Sequence, residues 1–357
     1  MARIPVKGPG GGYDIVIEAG LLQDGERLAS EFCLANRVAV GTTDTIAGMH
    51  GHALTRRLPD AVLVTMPDGE KHKSLKTVSQ MYSDFVAAGL DRQGTVLALG
   101  GGVACDTFGY AATTYLRGVR LVMAPTSLLA MVDASVGGKT GVDIAEGKNL
   151  VGTFARPAAV LIDSDVLETL PEGEWRNGMA EVLKHGLLAD AQLLDPALHN
   201  RNNALALVAR AVQVKVDLVQ RDPFEQNVRA WLNLGHTFAH AIELVSDFRW
   251  SHGEAVGVGL VAAARLSHAM GLCPAALTDQ VEACVARAGL PVRLGGMGAE
   301  AICAAMATDK KRRAGRVRFV LLRALHDVTL VDDVPMAAVV EVLNGMQEIP
   351  VREERPC

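Results

Sequence analysis

The 357-residue sequence predicts an α/β protein of two domains, and three observations support this fold class. Short apolar, β-branched runs alternate with helical stretches in the first half, as in a layered parallel sheet. Glycine-rich loops directly follow some of those runs. After about residue 165 the pattern changes to helices with apolar residues three and four positions apart. We therefore predict an α/β domain at residues 1–165 and a mainly α-helical domain at residues 166–357.

The predicted elements follow from the period of the apolar residues. The expected parallel strands of the first domain are Arg37–Gly41, Ala61–Thr65, Thr95–Leu99, Arg120–Ala124 and Ala159–Ile162, with a helix at Leu75–Ala88. The expected helices of the second domain are Trp175–Leu188, Ala204–Gln220, Asn227–Val245, Glu254–Met270 and Leu277–Ala288, followed by strands at Val317–Leu322 and Asp327–Val331.

Composition excludes several classes of partner. The chain has 35 basic and 40 acidic side chains, a net charge of −5, which argues against a nucleic-acid binder. Its longest apolar stretches, such as Ala255–Ala264, are about half the length of a membrane span, so no membrane partner is expected. The first residues lack a signal-peptide pattern, and the six cysteines are scattered, as in a cytoplasmic protein with reduced thiols.

Polar or glycine-rich loops follow three of the predicted strands. Leu97–Asp106 (LALGGGVACD) follows a strand and opens a helix, where backbone N–H groups can approach a pyrophosphate. The alternative for this loop alone is a tight turn with no ligand, because it lacks the GxGxxG pattern. Thr43-Asp44 and Asp68–Lys73 follow two other strands. Together the three strand ends favour a dinucleotide site in a Rossmann-like domain.

Glu181, His236 and His252 form a possible metal set. One carboxylate and two imidazoles with a fourth position open is the arrangement of a catalytic zinc site. His240 lies one helical turn after His236 on the same face. The spacing leaves open whether His240 is a ligand or an acid–base group, and whether these histidines are ordinary surface or core residues.

A cationic, glycine-rich segment lies between residues 117 and 152. Its polar residues are Arg117, Asp133, Lys139, Lys148 and Asn149, and they suit a small substrate with several negative charges. The Gly-Gly-Lys-Thr run resembles the end of a P-loop, but the full GxxxxGK[ST] motif is absent, which excludes an ATPase of that type. Further cations and an amide occur in the helical half: Lys184, Lys215, Arg229 and Asn233. Isolated lysines of this kind are usually solvated.

These segments together resemble the 3-dehydroquinate synthase family of sugar-phosphate cyclases. The resemblance runs from about Asp14 to about Val331. Its most specific pieces are GGGVACD (100–106), YLRG (115–118), VDASVGGKTGV (132–142), GKNLVGTF (147–154), GMAEVLKHG (178–186), LNLGHTFAHAIE (232–243), HGEAV (252–256) and TDKKRRAGRVRFVLL (308–322). The chain departs from the common family pattern at Cys105, Met131, Asp143 and Ala239, none of which is a metal or proton-transfer position.

The resemblance implies roles for matching residues. The metal ligands, usually of zinc or cobalt, match Glu181, His236 and His252. The NAD-binding positions match Asp44, Asp68, Gly69, Glu70, Lys71, Lys73, Gly101, Gly102, Val103, Asp106, Thr126, Ser127, Lys139, Lys148, Leu167 and Thr169. Substrate-binding positions match Arg117, Asp133, Lys148, Asn149, Lys310 and Lys311. Catalytic positions match His240, in an acid–base role, and Lys139, Lys184, Lys215, Arg229 and Asn233.

The family's reaction implies the expected function. It converts 3-deoxy-D-arabino-heptulosonate 7-phosphate to 3-dehydroquinate and phosphate in the shikimate pathway, with NAD and a divalent metal as cofactors, and its members are commonly homodimers. Three alternatives remain: a sister cyclase acting on another sugar phosphate, an NAD- and metal-dependent polyol dehydrogenase, and a family member kept as a binding or scaffold protein.

Overall fold

The computed structural model describes residues 1–8, 11–308 and 317–347. The chain forms two compact units. The first unit contains Met1–Gly178 and Ala197–Arg229, and the second contains Met179–Pro196 and Ala230–Cys357. These compact units do not follow the predicted domain boundary at 165/166, which stays a prediction. No helix in the described part is long and apolar enough to cross a lipid bilayer.

The first unit is built on a seven-stranded sheet. The strands of the described residues in this unit are β1 (Ala2–Gly8), β2 (Gly11–Glu18), β3 (Val38–Thr43), β4 (Ala61–Met66), β5 (Thr95–Gly100), β6 (Arg120–Pro125), β7 (Lys139–Ile144), β8 (Gly147–Phe154) and β9 (Ala159–Asp163). The sheet has the order β1-β2-β9-β6-β5-β3-β4, and all pairs except β1–β2 are parallel. Every residue of β3, β5 and β9 is buried, as in sheets covered on both faces.

The helices of the described residues follow in chain order. They are α1 (Gly25–Glu31), α2 (Asp44–Ile46), α3 (His52–Arg57), α4 (Leu75–Ala87), α5 (Gly102–Thr114), α6 (Glu172–Leu188), α7 (Ala204–Arg221), α8 (His236–Val245), α9 (His252–Ala269), α10 (Ala275–Arg287), α11 (Ala299–Thr308) and α12 (Met336–Asn344). In the first unit, α5 packs on β5, β6 and β7. Because α5 begins directly after β5, its first turn lies at the carboxyl edge of the parallel strands.

The strands β7 and β8 form a separate antiparallel hairpin that the sequence did not predict. Gly137 and Gly138 precede it with φ of 96° and 70°, a left-handed conformation that glycine adopts without strain. The Gly-Gly-Lys-Thr run therefore opens a strand. A P-loop would open a helix at this point, so the exclusion of a P-loop is confirmed.

The second unit is a helical bundle with one hairpin. The strands β10 (Phe319–Ala324) and β11 (Asp327–Val331) pair antiparallel. The central helix α9 packs against α8, α10, α12 and β10, and it is buried over most of its length. The Ser267 hydroxyl accepts from Leu322 N at 2.9 Å, which ties α9 to β10.

All five strands expected in the first half are strands of the sheet. One predicted helix was wrong in part, because Asn227–Val245 is not continuous. A short 3₁₀ turn at Val228–Asn233 is followed by Gly235, with φ 79°, and α8 begins only at His236. A Cβ at Gly235 would lie 2.9 Å from the backbone nitrogen of Leu260, so the break depends on close packing against α9.

Candidate functional site

Glu181 on α6, His236 on α8 and His252 on α9 come together within the second unit. Their ligand atoms lie within 4.8 Å of one another. Glu181 Oε1 lies 3.4 Å from His236 Nε2 and 3.2 Å from His252 Nε2. This donor set, one carboxylate and two imidazoles, fits a divalent cation with three protein ligands and an open position.

Local sequence places each histidine at a helix start. Gly235 turns the chain at close range to Leu260, and His236 follows as the first residue of α8. Ser251 caps α9 in a capping box, in which its hydroxyl accepts from Glu254 N while the Glu254 carboxylate accepts from Ser251 N. His252 follows that cap directly. Both imidazoles therefore stand on well-defined helix ends.

Burial and neighbouring charges set the pKa values of the three side chains. Burial raises the pKa of Glu181, but Lys184 and His236 outweigh burial and hold that pKa well below its usual value. Burial and Lys184 lower the pKa of His236 to about 4, despite Glu181. Burial also lowers the pKa of His252, but hydrogen bonds to Glu181 and Glu243 raise it to about 10. An ionised Glu181 and a neutral His236 at pH 7 are the forms that bind metal, whereas His252 must lose a proton when it binds a cation.

Three other predicted residues lie on or next to the helices that carry these ligands. Lys184 is fully buried and pairs with Glu181 one turn earlier on α6. The His240 ring lies edge-on to His236 with centroids 5.6 Å apart, outside the converging ligand atoms of Glu181, His236 and His252. Asn233 precedes α8, and its amide donates to Ala230 O at 3.2 Å. The catalytic roles of Lys184, His240 and Asn233 stay predictions.

The glycine loop in the first unit lies beside the end of β6. Gly100 O accepts from Thr126 N at 2.9 Å, and Gly101 is the N-cap of α5. A Cβ on Gly101 would lie 3.5 Å from Ser127 Oγ. The predicted NAD-binding residues at Gly101–Val103 and at Thr126 and Ser127 are thus neighbours, around a helix N-terminus that can accept an anion.

The predicted nucleotide-binding loops after β3 and β4 contact each other. The Asp68 carboxylate accepts from Thr45 N at 3.0 Å and from Thr45 Oγ1 at 2.9 Å, which binds the loop after β4 to the start of α2, where Asp44 lies. Gly69 follows with φ 99°, and Glu70 and Lys71 begin a short turn. Thr169 Oγ1 lies 3.0 Å from His50 Nε2, and Leu167 lies in the same 3₁₀ turn, Ser164–Thr169.

Lys73 connects the glycine loop to the β7–β8 hairpin. Its ammonium donates to Asp106 Oδ2 at 2.6 Å and to Asn149 Oδ1 at 2.6 Å. Burial lowers the pKa of Lys73, but Asp106 and Glu70 outweigh burial and raise it. Burial raises the pKa of Asp106 to about 6, although Lys73 opposes that rise. Lys148, next to Asn149, lies 3.8 Å from Glu70.

A second polar cluster of the first unit surrounds the turn before β7. Lys215 donates to Asp133 Oδ1 at 2.6 Å, and Lys139 pairs with Glu225. The buried Arg229 donates to Gly137 O at 3.0 Å, and a Cβ on Gly137 would lie 2.6 Å from that guanidinium. The structure thus brings together the predicted residues Asp133, Lys139, Lys215 and Arg229.

Two predicted groups do not join these clusters. Arg117 is exposed in a turn after α5 with φ 68°, and no hydrogen bond or ion pair to the described residues holds its guanidinium. Lys310 and Lys311 lie outside the described residues. Two acidic residues were missed by sequence reasoning: Glu225, which pairs with Lys139, and Glu243, which lies 3.4 Å from His252 Nδ1. Glu243 follows His236 by seven positions, a helical spacing that could have revealed it.

Comparisons with known proteins agree with this fold. A solved 2-deoxy-scyllo-inosose synthase, complexed with carbaglucose-6-phosphate, NAD⁺ and Co²⁺, has a TM-score of 0.88 at 22% identity, over 97% of this chain and all of that one. The 2-epi-5-epi-valiolone synthase ValA of Streptomyces hygroscopicus, with NAD⁺ and Zn²⁺ bound, has a TM-score of 0.86 at 32% identity, over 94% of this chain and 96% of its own. The fold is therefore that of the sugar-phosphate cyclases.

Sequence comparison identifies the family within that class. The model of the 3-dehydroquinate synthase N-terminal region matches residues 63–177, and that of the C-terminal region matches residues 178–312. A 3-dehydroquinate synthase of Synechococcus sp. is 41% identical, over 96% of this chain and 98% of that relative. This chain belongs to the 3-dehydroquinate synthase family.

Proposed function

We propose that this chain catalyses the reaction of its family, the conversion of 3-deoxy-D-arabino-heptulosonate 7-phosphate to 3-dehydroquinate and phosphate. The observation that carries the proposal is the convergence of Glu181, His236 and His252 within 4.8 Å, in a chain 41% identical to a named 3-dehydroquinate synthase. Three ligands of these types leave a coordination position for a substrate oxygen.

A divalent cation and NAD are the cofactors of this proposal. ValA, 32% identical to this chain, has NAD⁺ and Zn²⁺ bound. Glu181, His236 and His252 would hold the cation, which supplies a Lewis acid that lowers the pKa of a bound hydroxyl. NAD supplies a hydride acceptor and donor for a transient oxidation, so that turnover leaves no net NADH.

The nucleotide is assigned to the loops at the strand ends of the first unit. The first turn of α5, with Gly101 as its N-cap, offers backbone N–H groups to the pyrophosphate. Asp44 is the proposed acceptor for ribose hydroxyls, and Asp68 joins the neighbouring loop to it through Thr45. Thr126 and Ser127 line the same glycine turn.

The substrate's anionic groups are assigned to cations of the first unit. In the first unit, Lys139, Lys215 and Arg229 surround the glycine turn before β7 and suit a carboxylate or a phosphate. Lys184 in the second unit pairs with Glu181 and would keep that ligand ionised. His240, beside His236, is the proposed acid–base group.

A sister cyclase is the second candidate, because ValA has a TM-score of 0.86 to this chain. The two candidates differ in the substrate, since the heptulosonate carries a carboxylate that needs cations of its own. Lys215 and Arg229, which surround the turn before β7, favour the carboxylated substrate. Arg117, Asn233 and His240 are assigned to it by the family resemblance alone.

A phosphate-release assay tests the proposal. Purified protein with NAD and zinc should release phosphate from the heptulosonate phosphate without accumulating NADH, and a chelator should stop the release. Accumulation of NADH would instead indicate a polyol dehydrogenase. Activity only on a ketose phosphate that lacks the carboxylate would indicate a sister cyclase, and inactivity on every substrate would indicate a binding protein.

We also propose a cytoplasmic homodimer. The scattered cysteines suit a reducing compartment, and the five cysteines of the described residues are all free thiols. Light scattering should give a mass of twice the 37.8 kDa chain. A mass of one chain at micromolar concentration would contradict the dimer.

A further inference from the structure

The buried carboxylate of Glu243 contacts a proposed metal ligand. Glu243 lies on α8 and is 8% exposed, so its charge needs a polar partner. Its Oε1 lies 3.4 Å from His252 Nδ1, at the outer range of an N–H···O contact. On the opposite edge of the same ring, His252 Nε2 lies 3.2 Å from Glu181 Oε1. The imidazole of His252 is thus held between two carboxylates.

This arrangement assigns the two ring nitrogens of His252. A neutral imidazole has one N–H and one lone pair, and a cation at Glu181 requires the lone pair on Nε2. The proton must then lie on Nδ1, where Glu243 accepts it. A carboxylate in this place fixes both the tautomer and the ring orientation, and it makes the ligand nitrogen more basic.

The other imidazole of the proposed metal set, His236, contacts a backbone carbonyl in the same way. His236 Nδ1 lies 3.2 Å from Leu234 O, and its Nε2 faces Glu181 Oε1 at 3.4 Å. Both imidazoles therefore present Nε2 to the same carboxylate oxygen and use Nδ1 to contact an acceptor. Because Glu243 follows His236 by seven residues on α8, one helix supplies one ligand and the support for the other.

We propose that Glu243 is a positioning residue that fixes the tautomer and orientation of His252, and thereby sets the affinity of the Glu181–His236–His252 centre for a divalent cation. The inference rests on the metal part of the proposed function. Its test is the affinity for zinc alone, which does not depend on the substrate or on turnover.

The experiment measures zinc Kd by competition with a chromophoric chelator, on metal-free wild type and on Glu243→Ala and Glu243→Gln. Glu243→Ala should weaken zinc binding about 10- to 100-fold. Glu243→Gln should recover much of that loss, because its amide oxygen can still accept from Nδ1. Glu341→Ala on α12, which removes an exposed carboxylate, is the control and should keep the wild-type Kd.

Cobalt(II) provides a readout of geometry. The visible absorption of the cobalt-loaded protein should change in Glu243→Ala and return toward wild type in Glu243→Gln, while the melting temperature of the metal-free variants stays close to wild type. Unchanged zinc affinity in Glu243→Ala would overturn the inference. So would equal losses in the Ala and Gln variants, because a loss that follows only the charge leaves no role for hydrogen bonding. Tight zinc binding by a protein that releases no phosphate would contradict the proposed reaction and leave Glu243 in its role.

Discussion

At the scale of single residues, neighbouring charges keep Glu181 and Lys73 ionised although both are buried. Glu181 and Lys184 are almost completely buried, and each stabilises the other's ionised form. The spacing of Glu181, His236 and His252 was visible in the sequence, and their convergence is what the structure adds. Glu243 was missed because its significance depends on a contact with another helix.

Removing one proposed ligand tests the metal centre. His252→Ala should weaken zinc binding by more than about 100-fold, which is the largest loss expected when a residue that only supports a ligand is removed. The variant should also lose the phosphate release that a chelator stops. The fold should be retained, because His252 stands at the start of α9 and its side chain is 32% exposed. Circular dichroism checks the fold, and wild-type zinc affinity in the variant would contradict the ligand role.

The raised pKa of Asp106 predicts a pH dependence of stability. Burial raises this pKa to about 6, above the usual value near 3.8, so the unfolded chain loses its proton at lower pH than the folded chain. The free energy of unfolding of wild type should therefore fall relative to Asp106→Asn as pH rises from about 4 to about 6. Urea denaturation at several pH values measures this. A difference between the two proteins that does not change with pH would contradict it.

At the scale of elements, two connections position the sites within their units. Lys73 binds α5 and the β7–β8 hairpin through Asp106 and Asn149, and Gly235 allows α8 to start against α9. The helix break was not predicted, because the apolar period continues from Asn227 to Val245 across the glycine. The β7–β8 hairpin was not predicted, because its residues alternate weakly and its glycines suggested a loop.

Lys73→Met should destabilise the first unit and lower its affinity for NAD and for the substrate. The variant leaves the carboxylate of Asp106 without its cation, at a cost of about 3 kcal/mol for a largely buried pair. Both NAD and substrate affinity should fall, because Asp106 and Asn149 lose a common partner. Calorimetry with each ligand measures this. Lys76→Met, at an exposed position of α4, is the control. A loss of affinity for only one of the two ligands would contradict the role of Lys73 as a common partner of Asp106 and Asn149.

Gly235→Ala tests the helix break. An alanine at φ 79° is strained, and its Cβ would lie 2.9 Å from Leu260 N, so we expect a loss of about 2–4 kcal/mol in the free energy of unfolding. Zinc affinity should also fall, because His236 follows directly. Gly271→Ala has a similar φ of 71° with open space around its Cβ, and it isolates the backbone strain from the clash. Equal losses in the two variants would show that packing against Leu260 is unimportant.

At the scale of the whole molecule, each proposed cofactor has its residues in one compact unit. The cation ligands Glu181, His236 and His252 belong to the second unit, and the glycine loop with its neighbours belongs to the first. The two family models meet at residues 177 and 178, next to the first boundary between the compact units at Gly178.

Zinc should therefore stabilise the wild-type protein on its own. At about 100 times its Kd, a cation that binds only the folded chain adds about 2.7 kcal/mol to the free energy of unfolding. The melting temperature of the metal-free protein should rise with zinc, and it should not rise in His252→Ala. Stabilisation of both proteins to the same degree would place the zinc elsewhere.

The sequence by itself determined the two-part α/β and helical organisation, the positions of five parallel strands and the glycine turns, because apolar period and backbone freedom are local properties of the chain. It also carried the family's motifs, and with them the expected reaction. Only the tertiary structure decided which polar groups meet. Glu181 and His252 are 71 residues apart in the chain. Glu243, Lys73 and Gly235 also act through contacts with other elements, and such contacts leave no local pattern in the sequence.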